Sequence, residues 1–182
     1  MFSKISIIGC GLIGSSILRA TQEKKLATKI SVYDKSNKVT EYLKKNFTAD
    51  ICSNVSETTK DADLIIISAP LSSYKEILIS IKSTLKEGSI LTDTGSAKKE
   101  VNKIVNNLGL KNISWIASHP IAGTEYSGPA AGFSSLFKNR WCILSAGNQV
   151  AKDKIENLEK FWSKLGSKVK IMSFEDHDYV LS

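Results

Sequence analysis

Three glycines stand in the run Gly9-Cys10-Gly11-Leu12-Ile13-Gly14, between the apolar segment Ile5-Ser6-Ile7-Ile8 and a stretch of helical periodicity. Asp34 closes the next β-rich segment, twenty residues after Gly14. This spacing suits a dinucleotide-binding turn. Gly9 permits the tight turn, Gly11 has no side chain to keep a pyrophosphate from the backbone, and Gly14 lets helix and strand pack closely. The free N–H groups that open the helix, at Leu12 and Ile13, attract phosphate charge together with the helix dipole. Asp34 can accept hydrogen bonds from both ribose hydroxyls and would repel a 2′-phosphate. NAD is therefore favoured over NADP, although Lys35 and Lys38 nearby soften the choice. The plain alternative is a glycine turn with no ligand.

Ligands of open α/β sheets bind beyond the carboxyl ends of the strands, and three further loops fall there. Ser68-Ala69-Pro70 begins one that can line the cofactor through backbone groups or serve as a simple strand–helix turn. In Asp93-Thr94-Gly95-Ser96-Ala97-Lys98, the Ser96 hydroxyl either caps the following helix or bonds a substrate oxygen, and Lys98 reads as a surface residue. The third loop begins Ser118-His119-Pro120. Pro120 biases His119 toward extended backbone. A lone histidine is as readily structural as functional, but one at a strand end over a nicotinamide pocket could take the proton released when an alcohol is oxidised. Glu125 is either its partner or a surface acid. His177-Asp178 is either a site pair or a surface pair at a helix start.

These loops need a scaffold, and the pattern supplies one. Strand-like runs at 5–8, 29–34, 64–68, 89–93, 113–117, 141–144 and 168–171 alternate with helical stretches at 13–24, 36–46, 72–85, 97–107 and 151–164. A short extended piece lies around Ile51. Leu64-Ile65-Ile66-Ile67 is apolar throughout, as a strand covered on both faces should be. Such alternation implies a mostly parallel sheet with right-handed crossover helices, a Rossmann-like doubly wound α/β fold. Residues 119–135 are too long and polar for an ordinary connector. Ser173 reads as the cap of a last helix, with Asp176 three residues on. The expected organisation is a nucleotide-binding domain over 1–172 and the start of a C-terminal helix over 173–182.

The composition is that of a globular protein: 182 residues, 42% hydrophobic and 24% charged. No apolar run is long enough to span a membrane, and the N-terminus lacks a secretory signal pattern, so a cytoplasmic protein without membrane association is expected. Cys10, Cys52 and Cys142 are odd in number and lack metal-type spacing; they read as reduced thiols, with no metal. The net charge is +7. It comes mostly from dispersed lysines, with Arg19 and Arg140 the only arginines, which argues against nucleic-acid recognition.

The glycine motif, Asp93-Thr94-Gly95-Ser96-Ala97-Lys98 and above all Ser118-His119-Pro120-Ile121-Ala122-Gly123-Thr124-Glu125 with Ser127-Gly128-Pro129 together resemble the prephenate/arogenate (cyclohexadienyl) dehydrogenase family. Leu136-Phe137, the run Arg140-Trp141-Cys142-Ile143-Leu144 and His177-Asp178 fit as well. The resemblance covers nearly the whole chain. It implies NAD-dependent oxidative decarboxylation of prephenate or arogenate in tyrosine biosynthesis. It further implies that His119 polarises the ring hydroxyl and takes its proton, while Ser96 helps hold hydroxyl and nicotinamide in register. Members of this family continue into a helical domain that forms a homodimer and closes the site. That domain is absent from these residues, as are a further histidine motif and a carboxylate-binding arginine, which Arg140 does not match. Two other readings stand beside this one: a catalytically silent NAD-binding module, and another β-hydroxyacid-type dehydrogenase.

Overall fold

The structure, a computed structural model, describes residues 2–181. Met1 and Ser182, the outer ends of the two expected spans, lie outside the described residues. In chain order the elements are β1 (Phe2–Ile8), α1 (Leu12–Glu23), β2 (Ala27–Tyr33), α2 (Asn37–Asn46), β3 (Asp50–Ile51), α3 (Val55–Thr59), β4 (Leu64–Ile67), α4 (Tyr74–Ile81) and β5 (Ile90–Asp93). They continue with α5 (Lys98–Leu108), β6 (Ser114–Pro120), β7 (Trp141–Ala146), α6 (Lys152–Leu165), β8 (Lys168–Ile171) and α7 (Phe174–Leu181).

The strands form one sheet in the order β3-β2-β1-β4-β5-β6-β7-β8. Every pairing is parallel except β6 with β7. This is the doubly wound Rossmann-like architecture. The winding reverses between β1 and β4, so their carboxyl ends splay apart and leave a crevice for a ligand. Alternate side chains of the central strands supply two cores. Ile5, Ile7, Leu64 and Ile66 pack with Ile17, Leu18, Phe161 and Trp162 on one face. Ile65, Ile67 and Leu91 pack with Leu78, Ile81, Val101 and Val105 on the other. Burying both faces is why β4 shows no polar alternation in sequence.

Helix ends follow local chemistry. The Ser36 hydroxyl accepts from the Val39 N–H at the start of α2, and Ser173 does the same for the Asp176 N–H in α7. Gly166 ends α6 with φ 104°, a left-handed position that a glycine adopts without strain.

The structure differs from the sequence expectation at α3, at α4 and at the end of β6. Helix α3 was not anticipated, because Val55-Ser56-Glu57-Thr58-Thr59 is a poor helix former; the Asn54 side chain nucleates it by accepting from the Glu57 N–H at 2.8 Å. The expected helix over 72–85 is a 3-10 turn at Leu71–Ser73 followed by α4, which ends at Ile81. Strand β6 runs three residues further than expected, so His119 and Pro120 belong to the sheet. The antiparallel ladder with β7 holds them there, pairing His119 with Ile143 and Pro120 with Cys142. On its other side β6 pairs with β5 only up to Trp115, so the missing N–H of Pro120 disrupts no ladder there. The long segment after β6 folds back over α1: the Phe133 N–H donates to Ser16 Oγ at 3.1 Å, and Gly132 lies so close to α1 that a Cβ would sit 2.1 Å from Ser15 Oγ.

Candidate active site

The turn after β1 is built around two glycines that admit no side chain. Gly9 has φ 89°, and a Cβ there would lie 2.5 Å from the carbonyl oxygen of Ser68. A Cβ on Gly14 would lie 2.1 Å from the carbonyl oxygen of Gly9. At Gly11 a Cβ would meet nothing within 4 Å, so the absent side chain leaves open space above the backbone. Helix α1 starts at this point with neither a side-chain cap nor an acidic residue in its first turn. Its leading N–H groups and its dipole are therefore available to an anion. Cys10 is buried beneath, and burial pushes its thiol up to about 12, the behaviour of an inert apolar residue.

Asp34, just past β2, fastens the turn. Its Oδ2 accepts from the Cys10 N–H at 2.7 Å and its Oδ1 from the Ser36 N–H at 2.9 Å. Each oxygen keeps a further lone pair for an incoming hydroxyl. A cleft of about 540 Å³ opens between the ends of β1, β2 and β4, within the usual range for small-molecule sites. Gly9, Gly11, Leu12, Ile13, Asp34, Ser68, Ala69 and Pro70, all singled out in sequence, line this one cleft, and Gly14 is buried beneath it. Thr94 and Gly95, from the loop 93–98 also marked in sequence, line it too, and so do Tyr33 and Val55, which had no distinguishing mark. These features fit a dinucleotide: a bare turn for the diphosphate, a helix start for its charge and a carboxylate for a ribose.

His119 and Ser96 lie outside that lining, beyond its Thr94–Gly95 side. Ser96 is exposed, and the N-cap position of α5 falls on Ala97, which offers no side-chain hydrogen bond. The capping expected of Ser96 comes from a distant residue instead. Asp178 of α7 accepts from the Lys98 N–H with Oδ1 at 3.0 Å and from the Lys99 N–H with Oδ2 at 2.9 Å. Burial works to raise the Asp178 carboxyl, but these bonds and the contact with His177 outweigh it and hold the group below its usual range.

His119 is half-buried at the end of β6. Its Nδ1 lies 2.8 Å from Nε2 of His177, and His177 Nδ1 lies 2.7 Å from Asp178 Oδ1. His177 is fully buried, which overturns the reading of it as a surface residue. Burial, followed by the charge of Lys98 and the neighbouring His177, lowers His119 from 6.5 to about 4 against the opposing effect of Asp178. The ring is neutral at physiological pH. Glu125 is exposed.

Lys98 corrects a second expectation. It is not a surface residue but fully buried, with Nζ 2.6 and 2.7 Å from the two oxygens of Asp93. Asp93 also accepts from Tyr74 Oη, the Gly95 N–H and the Ser118 N–H. Burial pushes the Lys98 ammonium down while the carboxylate draws it back up, with a net lowering. Through the Ser118 N–H, the Asp93 of this buried pair ties loop 93–98 to the carboxyl end of β6, the two segments that carry Ser96 and His119. Sequence offered no sign of it, since a lysine at a helix start is ordinarily solvated.

The comparisons with known proteins agree with this geometry. Residues 17–171 match the family model described as prephenate dehydrogenase, nucleotide-binding domain. The cyclohexadienyl dehydrogenase of Zymomonas mobilis is 34% identical across 100% of this chain and 62% of its own length. The prephenate dehydrogenase of Lactococcus lactis is 32% identical across 97% of this chain and 48% of its own. The chain thus spans about half to three-fifths of these curated relatives. The crystal structure of prephenate dehydrogenase from A. aeolicus in complex with hydroxyphenyl propionate and NAD+ superimposes with a TM-score of 0.86 at 27% identity, covering 99% of this chain and 63% of that one. No helix among the described residues is long and apolar enough to cross a membrane. The match to the family model over 17–171, together with relatives 34% and 32% identical across nearly all of its length, places this chain in the prephenate dehydrogenase nucleotide-binding domain family.

Proposed function

We propose that this chain binds NAD and provides the proton-accepting centre for oxidative decarboxylation of prephenate or arogenate. Residues 1–172 act as the cofactor unit, and the helix beginning at 173 contributes His177 to the centre. One observation carries the reading: a half-buried, neutral imidazole, His119, stands at the carboxyl edge of the sheet that bears the glycine cleft.

The bound nicotinamide supplies the hydride acceptor. The chain's own residues bind and orient. Gly11 and the N–H groups opening α1 receive the diphosphate, and Asp34 accepts the ribose hydroxyls while opposing a 2′-phosphate, which selects NAD over NADP. Ser68, Ala69 and Pro70 wall the cleft. Ser96 offers a hydroxyl, free of capping duty, to hold the substrate hydroxyl. His119 accepts that hydroxyl's hydrogen bond and takes its proton as the carbon gives up hydride. The carbon–carboxylate bond then breaks, carbon dioxide departs, and its electron pair completes the aromatic ring. The proton returns to the phenol oxygen.

The test has two arms. Calorimetry should show NAD+ binding that is weakened in Asp34→Ala, with NADP+ bound less tightly by the unmodified chain. Formation of reduced nicotinamide should follow addition of prephenate or arogenate and fall by about 10²–10⁴-fold in His119→Asn. Turnover unchanged in that variant refutes the role of His119. NAD+ binding without turnover supports a silent binding module instead.

A further inference from the structure

We propose that His177 and Asp178 are positioning residues that set the tautomer of His119, placing the proton on Nδ1 and leaving Nε2 as the bare, basic nitrogen. The inference rests on His119 being the proton acceptor, as proposed above, but its geometry stands apart from any turnover.

Asp178 is an acceptor on every side. Its two oxygens take the N–H groups of Lys98 and Lys99, the first residues of α5, at 3.0 and 2.9 Å. A carboxylate at a helix N-terminus is stabilised in its charged form, and a charged carboxylate has no proton to give. His177 Nδ1, 2.7 Å from Asp178 Oδ1, therefore carries a hydrogen and donates it. Where that is the only proton on the His177 ring, Nε2 is left as an acceptor. The contact of 2.8 Å between His177 Nε2 and His119 Nδ1 then needs its hydrogen from His119. A neutral imidazole with Nδ1–H has a lone pair on Nε2. The direction of the whole chain is dictated at its far end, by the unpaired amides of α5.

The setting favours this order. His177 is fully buried, so water does not compete for its nitrogens. The two imidazole planes meet at 52° with centroids 5.0 Å apart, an arrangement for edge-to-edge hydrogen bonding rather than stacking. Lys98 of α5 acts on His119 by its charge and is bonded to its partner Asp93 of β5, while Cys142 of β7, whose thiol burial pushes well above its usual range, meets the His119 backbone. The first two are held in their own ion pair, and the thiol stays neutral. When Nε2 takes a proton, the His119 cation is stabilised through His177 by the Asp178 charge, offsetting the burial and the Lys98 charge that oppose it.

The chain has only two histidines, so long-range proton–nitrogen correlation on histidine-labelled protein at neutral pH resolves both rings. A His177→Leu sample shows His119 alone and assigns it. The expected result for the unmodified chain is a protonated, pyrrole-type Nδ1 and a bare, pyridine-type Nε2 on His119. In His177→Leu the Nδ1–H state loses its acceptor, and the His119 signals should move toward the Nε2–H or averaged pattern. His177→Gln, whose amide oxygen can accept, should restore the Nδ1–H pattern, which a purely structural role would not require. Finding Nε2–H on His119 in the unmodified chain overturns the proposal; if His177→Leu does not fold, a His119→Asn sample, which shows His177 alone, gives the assignment. So does an unshifted Nδ1–H pattern in a folded His177→Leu. Absence of prephenate oxidation would sink the functional reading and leave this spectrum unchanged, so the two failures are distinguishable.

Discussion

Replacing Lys98 with methionine tests whether the buried ion pair holds the site together. Methionine keeps the length and volume of the lysine stem and removes only the ammonium. In the folded chain that ammonium sits 2.6 and 2.7 Å from the two Asp93 oxygens, with side-chain exposures of 1% and 0%. Removing one partner of a buried pair costs about 3–5 kcal/mol, because the other charge is stranded. Asp93 is not wholly stranded here. It retains the Gly95 N–H at 3.1 Å, the Ser118 N–H at 3.2 Å and Tyr74 Oη at 3.3 Å. The loss should therefore fall at the lower end, about 3 kcal/mol. For a chain of this size each kcal/mol moves the melting midpoint by about 2–4 °C, so Tm should drop by about 6–12 °C. Urea unfolding gives the free energy directly. Pairing the change with Asp93→Asn neutralises both charges, so the double variant should be more stable than the sum of the single losses predicts. A loss below about 1 kcal/mol for Lys98→Met, or strict additivity in the double variant, would refute the pair as an organising element. A second consequence is electrostatic: without the lysine charge the His119 ring should titrate somewhat above about 4, while burial, the larger cause, still holds it below 6.5.

Two further outcomes are expected. Gly14→Ala sets a Cβ 2.1 Å from a backbone oxygen that cannot swing away, while Gly11→Ala adds one to open space; the first should destabilise the chain by about 3 kcal/mol or more, and the second should leave urea unfolding within about 0.5 kcal/mol yet abolish NAD+ binding by calorimetry. Because His119 is lowered from 6.5 to about 4, the unfolded chain binds the extra proton between those values, so this residue's contribution to stability is complete above pH 6.5 and is lost as pH falls toward 4. Solvent screening of a half-buried ring limits the effect to about 1–2 kcal/mol, and His119→Asn should flatten that part of the urea-unfolding pH profile.

Much of the cofactor cleft was written locally. The glycine spacing, the carboxylate after β2 and the turn at 68–70 each depend on a strand ending and a helix beginning, and hydrophobic periodicity marks such junctions. The strand-by-strand alternation also carried the doubly wound fold. Two features of the fold escaped because they lack a local pattern: α3 depends on one asparagine cap, and the extension of β6 through Pro120 depends on an antiparallel neighbour twenty residues away. The cluster around His119 was legible only in its parts. His119 stood out by place, but nothing near it in sequence announced that Lys98 would be buried, that Asp178 rather than Ser96 would satisfy the start of α5, or that His177 would be enclosed.

The sequence alone determined the open glycine turn before α1, because a glycine's missing side chain and a helix's unpaired amides act within a few residues of each other. Only the tertiary structure decided the electrostatics of the imidazole at 119. Its neighbours come from α5 and α7, His177 lying 58 residues away along the chain, and the strength of a charge or hydrogen bond depends on how much water that assembly excludes.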